Sequence, residues 1–184
     1  MMRGCRLVFL FILLLVTCLP RTTAKACEAS AFVTNASNAF MGAARVHSAS
    51  AFSGATSRYT DLRSIALFAL GPHRKLVNKA KEAEYLTLTR GFIGRFMVRH
   101  SSRFSGSGMV IKDCAGSTNA LMVSTRMSNG KKIIFKLYRT RRGFLVRDVN
   151  VSSVWLGQQL RSTFVGVIKR NHGDIDALFN YLRT

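Results

Sequence analysis

Acidic residues are scarce in this chain, which has eight Asp and Glu among 184 residues, against 28 Lys and Arg. Asp174 and Asp176 are near neighbours, but Asp174 is better explained as the cap of a predicted helix. No other spacing suggests two carboxylates on one face. The sequence therefore offers no carboxylate pair for general acid and base catalysis.

Cysteine and histidine are also few, with four of each, and neither shows the spacing of a metal site. Cys27 and Cys114 are the two cysteines that follow the N-terminal segment described below. In an oxidising compartment they could form a disulfide, although the sequence does not show whether their Cα atoms come close enough. A nucleophile made from Cys114 and His100 would need the fold to bring them together, and nothing in the sequence argues for that.

Motifs of common active sites are missing as well, since there is no Gly-x-Ser-x-Gly elbow and no phosphate-binding loop. No residue is therefore predicted to be catalytic or to bind a metal. We expect a protein that is not an enzyme and that needs no cofactor.

Long apolar runs are confined to the N-terminus. Two arginines precede the apolar run 7–19, and Ala24-Lys25-Ala26 then offers a small-x-small cleavage site. This pattern predicts a secretory signal peptide over residues 1–26 and a single domain over residues 27–184. The alternatives are a membrane anchor, for which about 13 apolar residues are fewer than the roughly 20 that span a bilayer, and a lipoprotein leader, which fits poorly around Cys27.

Basic residues dominate the rest of the chain. The whole chain carries +20, and residues 1–26 hold four Lys and Arg but no acid, so the remaining 158 residues carry +16. Such a charge attracts anionic surfaces. A secreted protein seldom meets nucleic acid, so we expect no nucleic-acid binding and consider an anionic membrane surface the more natural partner. A solvated basic surface without a specific target is the alternative.

The segment 131–170 changes its hydrophobic period once. Apolar residues alternate through 133–138 and again through 144–151, on either side of the turn Arg141-Arg142-Gly143, which predicts a β-hairpin. Beyond it the apolar residues follow helical spacing, with Ser153 as the expected N-cap.

Helical and strand patterns are segregated along the chain, which is typical of an α+β fold. Helices are predicted at 28–43, 61–70 and 82–100, with residues 45–57 as a connection or a weak continuation of the first helix. Four strands and two more helices follow. We predict a four-stranded antiparallel meander sheet with helices packed on one side, enclosing an apolar cleft. The pattern alone does not separate a ligand cleft from a filled core.

Several segments resemble a known family of proteins. They include Asp61-Leu-Arg-x-Ile65-Ala66-x-Phe68-x-Leu70-Gly71, Phe144-Leu-Val-Arg-Asp148-Val-Asn-Val151 and Arg161-Ser162-x-Phe164-x-x-Val167-Ile168-x-Arg170-Asn171-x-Gly173. Their order is similar to that of the MlaC family, periplasmic phospholipid-binding proteins of Gram-negative bacteria that are also described as toluene-tolerance or auxiliary transport proteins. The chain departs from the family pattern at 72–74 and 152–153.

The resemblance implies a periplasmic lipid shuttle. Family members hold the acyl tails of a phospholipid between sheet and helices, with the headgroup near solvent. They pass it between an inner-membrane ABC transporter with a lipid-binding ring and an outer-membrane lipoprotein complex, which maintains outer-membrane lipid asymmetry. We expect the same phospholipid ligand and partners here. A secreted α+β enzyme and a cationic surface-binding protein with a filled core are the alternatives.

The expected pocket wall follows from period-two and helical spacing, and a slip of one residue would move the sheet set to the other face. Each residue could equally be ordinary core. The predicted lipid-binding residues are Leu121, Val123, Phe135, Leu137, Val149 and Val151 on the sheet side and Ile93, Phe96, Val154 and Leu156 on the helix side.

Two basic clusters stand out in predicted turns, one at Arg139, Arg141 and Arg142 and one at Arg74 and Lys75. Like charges in loops are usually only solvated. The functional alternative is docking onto an acidic transporter partner or an anionic membrane, because positive charge speeds and orients encounter.

Overall fold

The computed structural model describes residues 27–103, 108–117 and 119–184. The signal peptide predicted over residues 1–26 lies outside them. Within the described ranges, no helix combines the length and the apolar character needed to cross a membrane.

Four α-helices precede the sheet, where three were predicted. They are α1 (Ser30–Arg45), α2 (Ala49–Tyr59), α3 (Leu62–Ala69) and α4 (Lys79–Arg99). The unexpected helix is α2, whose start is fixed by the Ser48 hydroxyl, which accepts a hydrogen bond from the Ala51 N–H at 3.2 Å. Phe52 and Tyr59 are its two large apolar residues, but close packing on α4 compensates. A Cβ on Gly94 would collide with the carbonyl of Ala49.

Side-chain caps also begin the next two helices. Asp61 accepts from the Ser64 N–H at 3.2 Å, as predicted, and Asn78 accepts from the Lys81 N–H at 3.0 Å. A 3₁₀ segment, Gly71–Leu76, connects α3 to α4. Gly71 has a φ of +57°, a left-handed conformation that favours glycine and ends α3.

The sheet has five strands rather than the four predicted. They are β1 (Met109–Ser117), β2 (Ala120–Met127), β3 (Lys132–Thr140), β4 (Gly143–Val151) and β5 (Val154–Trp155). Each strand pairs antiparallel with the next in chain order. The α+β class, the antiparallel meander and the hairpin at Arg141 are thus confirmed.

The extra strand arises from the turn after β4. Ser152 and Ser153 both adopt a positive φ, and the Ser153 N–H donates to the Asn150 side chain at 3.1 Å. The chain therefore reverses, so that Val154 pairs with Val151 before any helix forms. Ser153 is not the N-cap that was predicted, and that position is held by Trp155.

Two helices complete the chain, α5 (Leu156–Arg170) and α6 (Ile175–Arg183). Asp174 caps α6 by accepting from the Asp176 N–H at 2.8 Å, as predicted. Buried side chains of α3, α4, α5 and α6 form one hydrophobic cluster. The inner sheet face and the start of α1 form a second, and a smaller third lies between α1, α2 and α4.

A disulfide joins Cys27 to Cys114, with 5.8 Å between the Cα atoms. It ties the chain ahead of α1 to β1 across 87 residues. Because both sulfurs are bonded, Cys114 has no thiolate, and the Cys–His nucleophile considered from sequence is excluded.

Candidate functional site

A cavity of about 380 Å³ lies where the three hydrophobic clusters meet. This volume is within the range of small-molecule binding sites, roughly 300–1,000 Å³. One wall is the inner face of the sheet at the end where β4 leads into β5. The helical walls come from α1, α2, α4 and α5, with single contributions from α3 and α6.

Six of the ten predicted pocket residues line this cavity. On the sheet they are Phe135, Val149 and Val151, which lie on one face because Phe135 stands opposite Val149 in the β3–β4 register. On the helices they are Ile93 and Phe96 in α4 and Leu156 at the start of α5.

The other four lie elsewhere. Leu121, Val123 and Leu137 share the inner face with Phe135 but do not line this cavity, although Val123 stands directly opposite Phe135 in the β2–β3 register. They are buried in the same hydrophobic cluster as Ala29 and Val33 and pack as core. Val154 is 49% exposed in β5, because the Ser152–Ser153 turn carries it to the surface. Contact between lipid and any of the ten stays a prediction.

Sequence reasoning missed much of the opposite wall. Phe40, Phe52 and Thr56 line the cavity from α1 and α2, and α2 was not predicted as a separate helix. The residues Met41, Met97, Met109 and Met127 were missed as well. They are four of the five methionines in the part of the chain that the structure describes. Because Met fills irregular space, its concentration was the usable signal.

Four polar side chains on the lining are already hydrogen-bonded within the protein. The hydroxyls of Ser37, Thr60 and Thr163 donate to backbone carbonyls of their own helices at 2.7–2.9 Å. Asp148 accepts from its neighbour's N–H at 2.8 Å and from the Gly157 N–H at 2.9 Å. These bonds hold the groups in place and reduce the polarity that the cavity presents.

Thr56 and Arg99 are two of the polar side chains on the lining for which the described residues show no such hydrogen bond. The Thr56 hydroxyl oxygen is buried and has no hydrogen-bond partner among the described residues. Arg99 is exposed at the end of α4 and is the sole Lys or Arg among the cavity-lining residues that the structure describes. One wall thus carries an unused buried hydroxyl, and the rim carries a cation.

The wall beside α3 is held by a polar cluster. The Asp61 N–H donates to the Val146 carbonyl at 2.9 Å, and Arg147 stacks over the Tyr138 ring at 3.8 Å. Burial alone would raise the pKa of Asp61, but hydrogen bonds from Ser64, Tyr138 and Arg147 prevail and hold that pKa below its usual range. The cluster therefore fastens α3 to β4 through a charged carboxylate.

A second cavity of about 670 Å³ lies on the other side of this wall. Ile65, Asp148 and Gly157 line both cavities and form the partition between them. The second cavity also carries the cations Lys136 and Arg147, so it is the more polar of the two.

No group of three or more His, Cys, Asp and Glu that could hold a metal occurs in residues 27–103, 108–117 and 119–184. His47 Nδ1 lies 2.9 Å from Ser101 Oγ. That hydroxyl is no candidate nucleophile for a cavity ligand, because Ser101 is 3% exposed and is not on the lining.

The chain was compared with family models, curated proteins and solved structures. A family model described as "MlaC protein" matches residues 37–184. The fold is similar to the structure of a phospholipid-binding protein from Ralstonia solanacearum, solved in complex with a phospholipid at 1.53 Å, with a TM-score of 0.71. The sequences are 14% identical, and the likeness covers 85% of this chain and 96% of the other, so it concerns the fold. Among curated proteins no match is found.

Proposed function

This chain belongs to the MlaC family, and from that premise we propose that it is a periplasmic phospholipid carrier. In this role it carries a phospholipid between the inner and the outer membrane. Its partners are the lipid-binding ring of an inner-membrane ABC transporter and an outer-membrane lipoprotein complex. The Ralstonia protein of similar fold, which was solved with a phospholipid, supports the choice of ligand.

The observation that carries the proposal is the size and apolar character of the first cavity. Empty apolar cavities cost about 24 cal/mol per Å³ in core truncations. At about 380 Å³ that rate gives roughly 9 kcal/mol as an upper bound. Such a cost approaches the whole stability of a small domain, about 5–15 kcal/mol. An apolar ligand in the cavity would remove this cost, and the acyl chains of a phospholipid are apolar.

The lining suits acyl chains that vary in length and unsaturation. Four methionines and five phenylalanines contribute to it. Met side chains are flexible and polarisable, so they can follow ligands of different shape. Apolar contact with these side chains is sufficient for a carrier, because the acyl tails are already out of water in the bilayer from which they come.

We place the headgroup at the rim near Arg99 and Gln159, whose side chains are exposed while they line the cavity. A guanidinium there can donate charge-assisted hydrogen bonds to a phosphate. The tails then lie among Phe135, Val149 and Ile93.

A carrier explains the site better than the alternative of a secreted enzyme. The carboxylate on the lining, Asp148, is committed to two backbone N–H groups, so it is poorly placed to move protons. Binding requires none of the missing catalytic groups.

The test is to purify the chain after secretion, extract it with organic solvent and analyse the extract by mass spectrometry. We expect about one phospholipid per protein, and uptake from vesicles after delipidation. Val149→Arg should abolish loading because it buries a charge in the cavity wall, whereas the matched Val154→Arg at the surface should load normally. Extracts without lipid, or equal loading by both variants, would contradict the proposal.

Shuttling itself needs a second measurement. Labelled lipid should move from the protein to vesicles that contain the transporter ring and from loaded outer-membrane complexes to the protein, faster than to plain vesicles. A protein that binds lipid but shows no acceleration with either partner would be a store rather than a shuttle.

A further inference from the structure

All eight acidic side chains of the chain lie in the described part and are engaged within the molecule. Five form ion pairs. The other three, Asp113, Asp148 and Asp174, accept backbone N–H groups. These eight acids stand against 24 Lys and Arg in residues 27–184, so the net charge is strongly positive and the surface field attracts anions.

The 3₁₀ segment Gly71–Leu76, with the helix ends beside it, concentrates this charge. We call it the basic turn. Arg74 and Lys75 are exposed within it. The hydrogen bond from Arg63 lowers the pKa of Glu82, and the nearby charges of Arg74 and Lys79 add to that effect. Three cations thus surround one carboxylate, which leaves the basic turn strongly positive.

Apolar side chains are exposed at the same place. Phe68, in the last turn of α3, is 40% exposed, and Leu76, the last residue of the 3₁₀ segment, is 43% exposed. The Arg161 guanidinium lies over the Phe68 ring at 5.1 Å. Leu70 and Val77 are buried and anchor the segment. One exposed apolar residue would be ordinary, but apolar and basic side chains together are typical of surfaces that bind membrane interfaces.

We propose that the basic turn, with Phe68 and Leu76, is a docking surface for an anionic phospholipid bilayer. In the docked state Leu76 enters the headgroup region, and Arg74 and Lys75 lie against lipid phosphates. None of these four side chains lines the first cavity, although Phe68 lines the second, so docking does not depend on what the first cavity holds.

The apolar area favours a bilayer over an acidic protein. A large aromatic side chain buries at most about 150–250 Å², so two partly exposed side chains supply far less than the roughly 800 Å² per partner of a stable protein interface. In a bilayer each side chain contributes separately, and every nearby Lys or Arg strengthens binding about fivefold.

The test is flotation of the mature full chain with vesicles of phosphatidylglycerol and phosphatidylcholine, and with phosphatidylcholine alone. We expect binding to the anionic vesicles that weakens steeply as salt rises. Arg74→Glu with Lys75→Glu should weaken it by at least about 25-fold. The matched reversal Arg141→Glu with Arg142→Glu, in the β3–β4 turn, should change it far less.

A second pair of variants tests the apolar part. Leu76→Ser should weaken vesicle binding several-fold, whereas Val110→Ser, at a residue 58% exposed on β1, should not. Leu76→Trp should show a blue-shifted emission on anionic vesicles, which reports that this position enters the headgroup region.

Equal effects of the two charge reversals, or no effect of Leu76→Ser, would overturn the proposal and favour non-specific charge or an acidic protein partner. Mass spectrometry of extracts from each variant separates this outcome from failure of the carrier proposal, because docking variants should keep their lipid.

Discussion

The sharpest test of the cavity is to fill it. Val149 lines the cavity and pairs with Phe135 across the β3–β4 register. Val149→Phe adds four carbons that can enter empty space. At about 0.8 kcal/mol per buried CH₂ the gain is at most ~3 kcal/mol. Allowing for imperfect fit, we expect the delipidated variant to be stabilised by about 1–2 kcal/mol and to take up lipid poorly.

The matched control is the same substitution at a core position two strands away on the same sheet face. Val123 is fully buried next to Leu121 and Leu137. Val123→Phe has no space to enter, and overpacking a core typically costs about 1–3 kcal/mol. The two variants should therefore shift stability in opposite directions.

Urea unfolding of delipidated protein measures the stabilities, and uptake of a fluorescent phospholipid measures binding. A shift of 1 kcal/mol corresponds to about 2–4 °C in Tm for a domain of this size, so thermal unfolding gives an independent check. If Val149→Phe destabilises as much as Val123→Phe, or if it binds lipid normally, the cavity is not the ligand site.

Three further predictions concern the groups that hold the fold. Thr56→Val should leave the free energy of unfolding in urea unchanged or raise it, because the Thr56 hydroxyl is buried without a described partner. The control Thr125→Val should lower the free energy of unfolding by about 0.5–1.5 kcal/mol, since the Thr125 hydroxyl donates to the Ile133 carbonyl at 3.0 Å. Reduction of the Cys27–Cys114 disulfide, which spans 87 residues, should cost up to about 4–5 kcal/mol in the loop-entropy description; an unchanged midpoint with dithiothreitol would contradict this. The pKa of Asp61 is lower in the folded than in the unfolded chain, so its stabilisation is present above the unfolded value of about 4 and is lost as pH falls through the folded value; Asp61→Asn should show a flatter acid limb, and identical pH profiles would refute the assignment.

The fold was largely predictable because most elements carry a local signal. Strand alternation through 133–138, the turn at Arg141 and the caps Asp61 and Asp174 are all as expected. The exceptions are α2 and β5. Helix α2 depends on close approach to α4 at Gly94, and β5 depends on two serines with positive φ. Both are set by tertiary contacts or by backbone conformations that side-chain patterns do not report.

The site was only half predictable, for a simple geometric reason. Leu121, Leu137, Phe135 and Val149 all point to the inner face of the sheet and follow the same alternation. Whether such a residue packs as core or lines a cavity depends on what lies opposite. The start of α1 packs in the same cluster as Leu137. Across from Val149, by contrast, α1, α2 and α4 form the far wall of a cavity. Whether a sheet residue lines the cavity is therefore set by where the helices lie, and the periodicity of the sequence does not report their positions.

Five of the eight acidic residues form ion pairs that connect different elements of the fold. Every ion pair joins two different elements of the fold, namely Glu28–Arg139, Asp61–Arg147, Glu82–Arg63, Glu84–Arg183 and Asp176–Lys81. Exposed pairs of this kind contribute at most about 1 kcal/mol each, so they guide how the elements are placed more than they stabilise them. Residues 27–184 hold 24 Lys and Arg against these eight acids, so the surface carries a net positive charge. Raising salt should therefore weaken binding to anionic partners well before it affects folding, because exposed charges are screened while the apolar clusters are not.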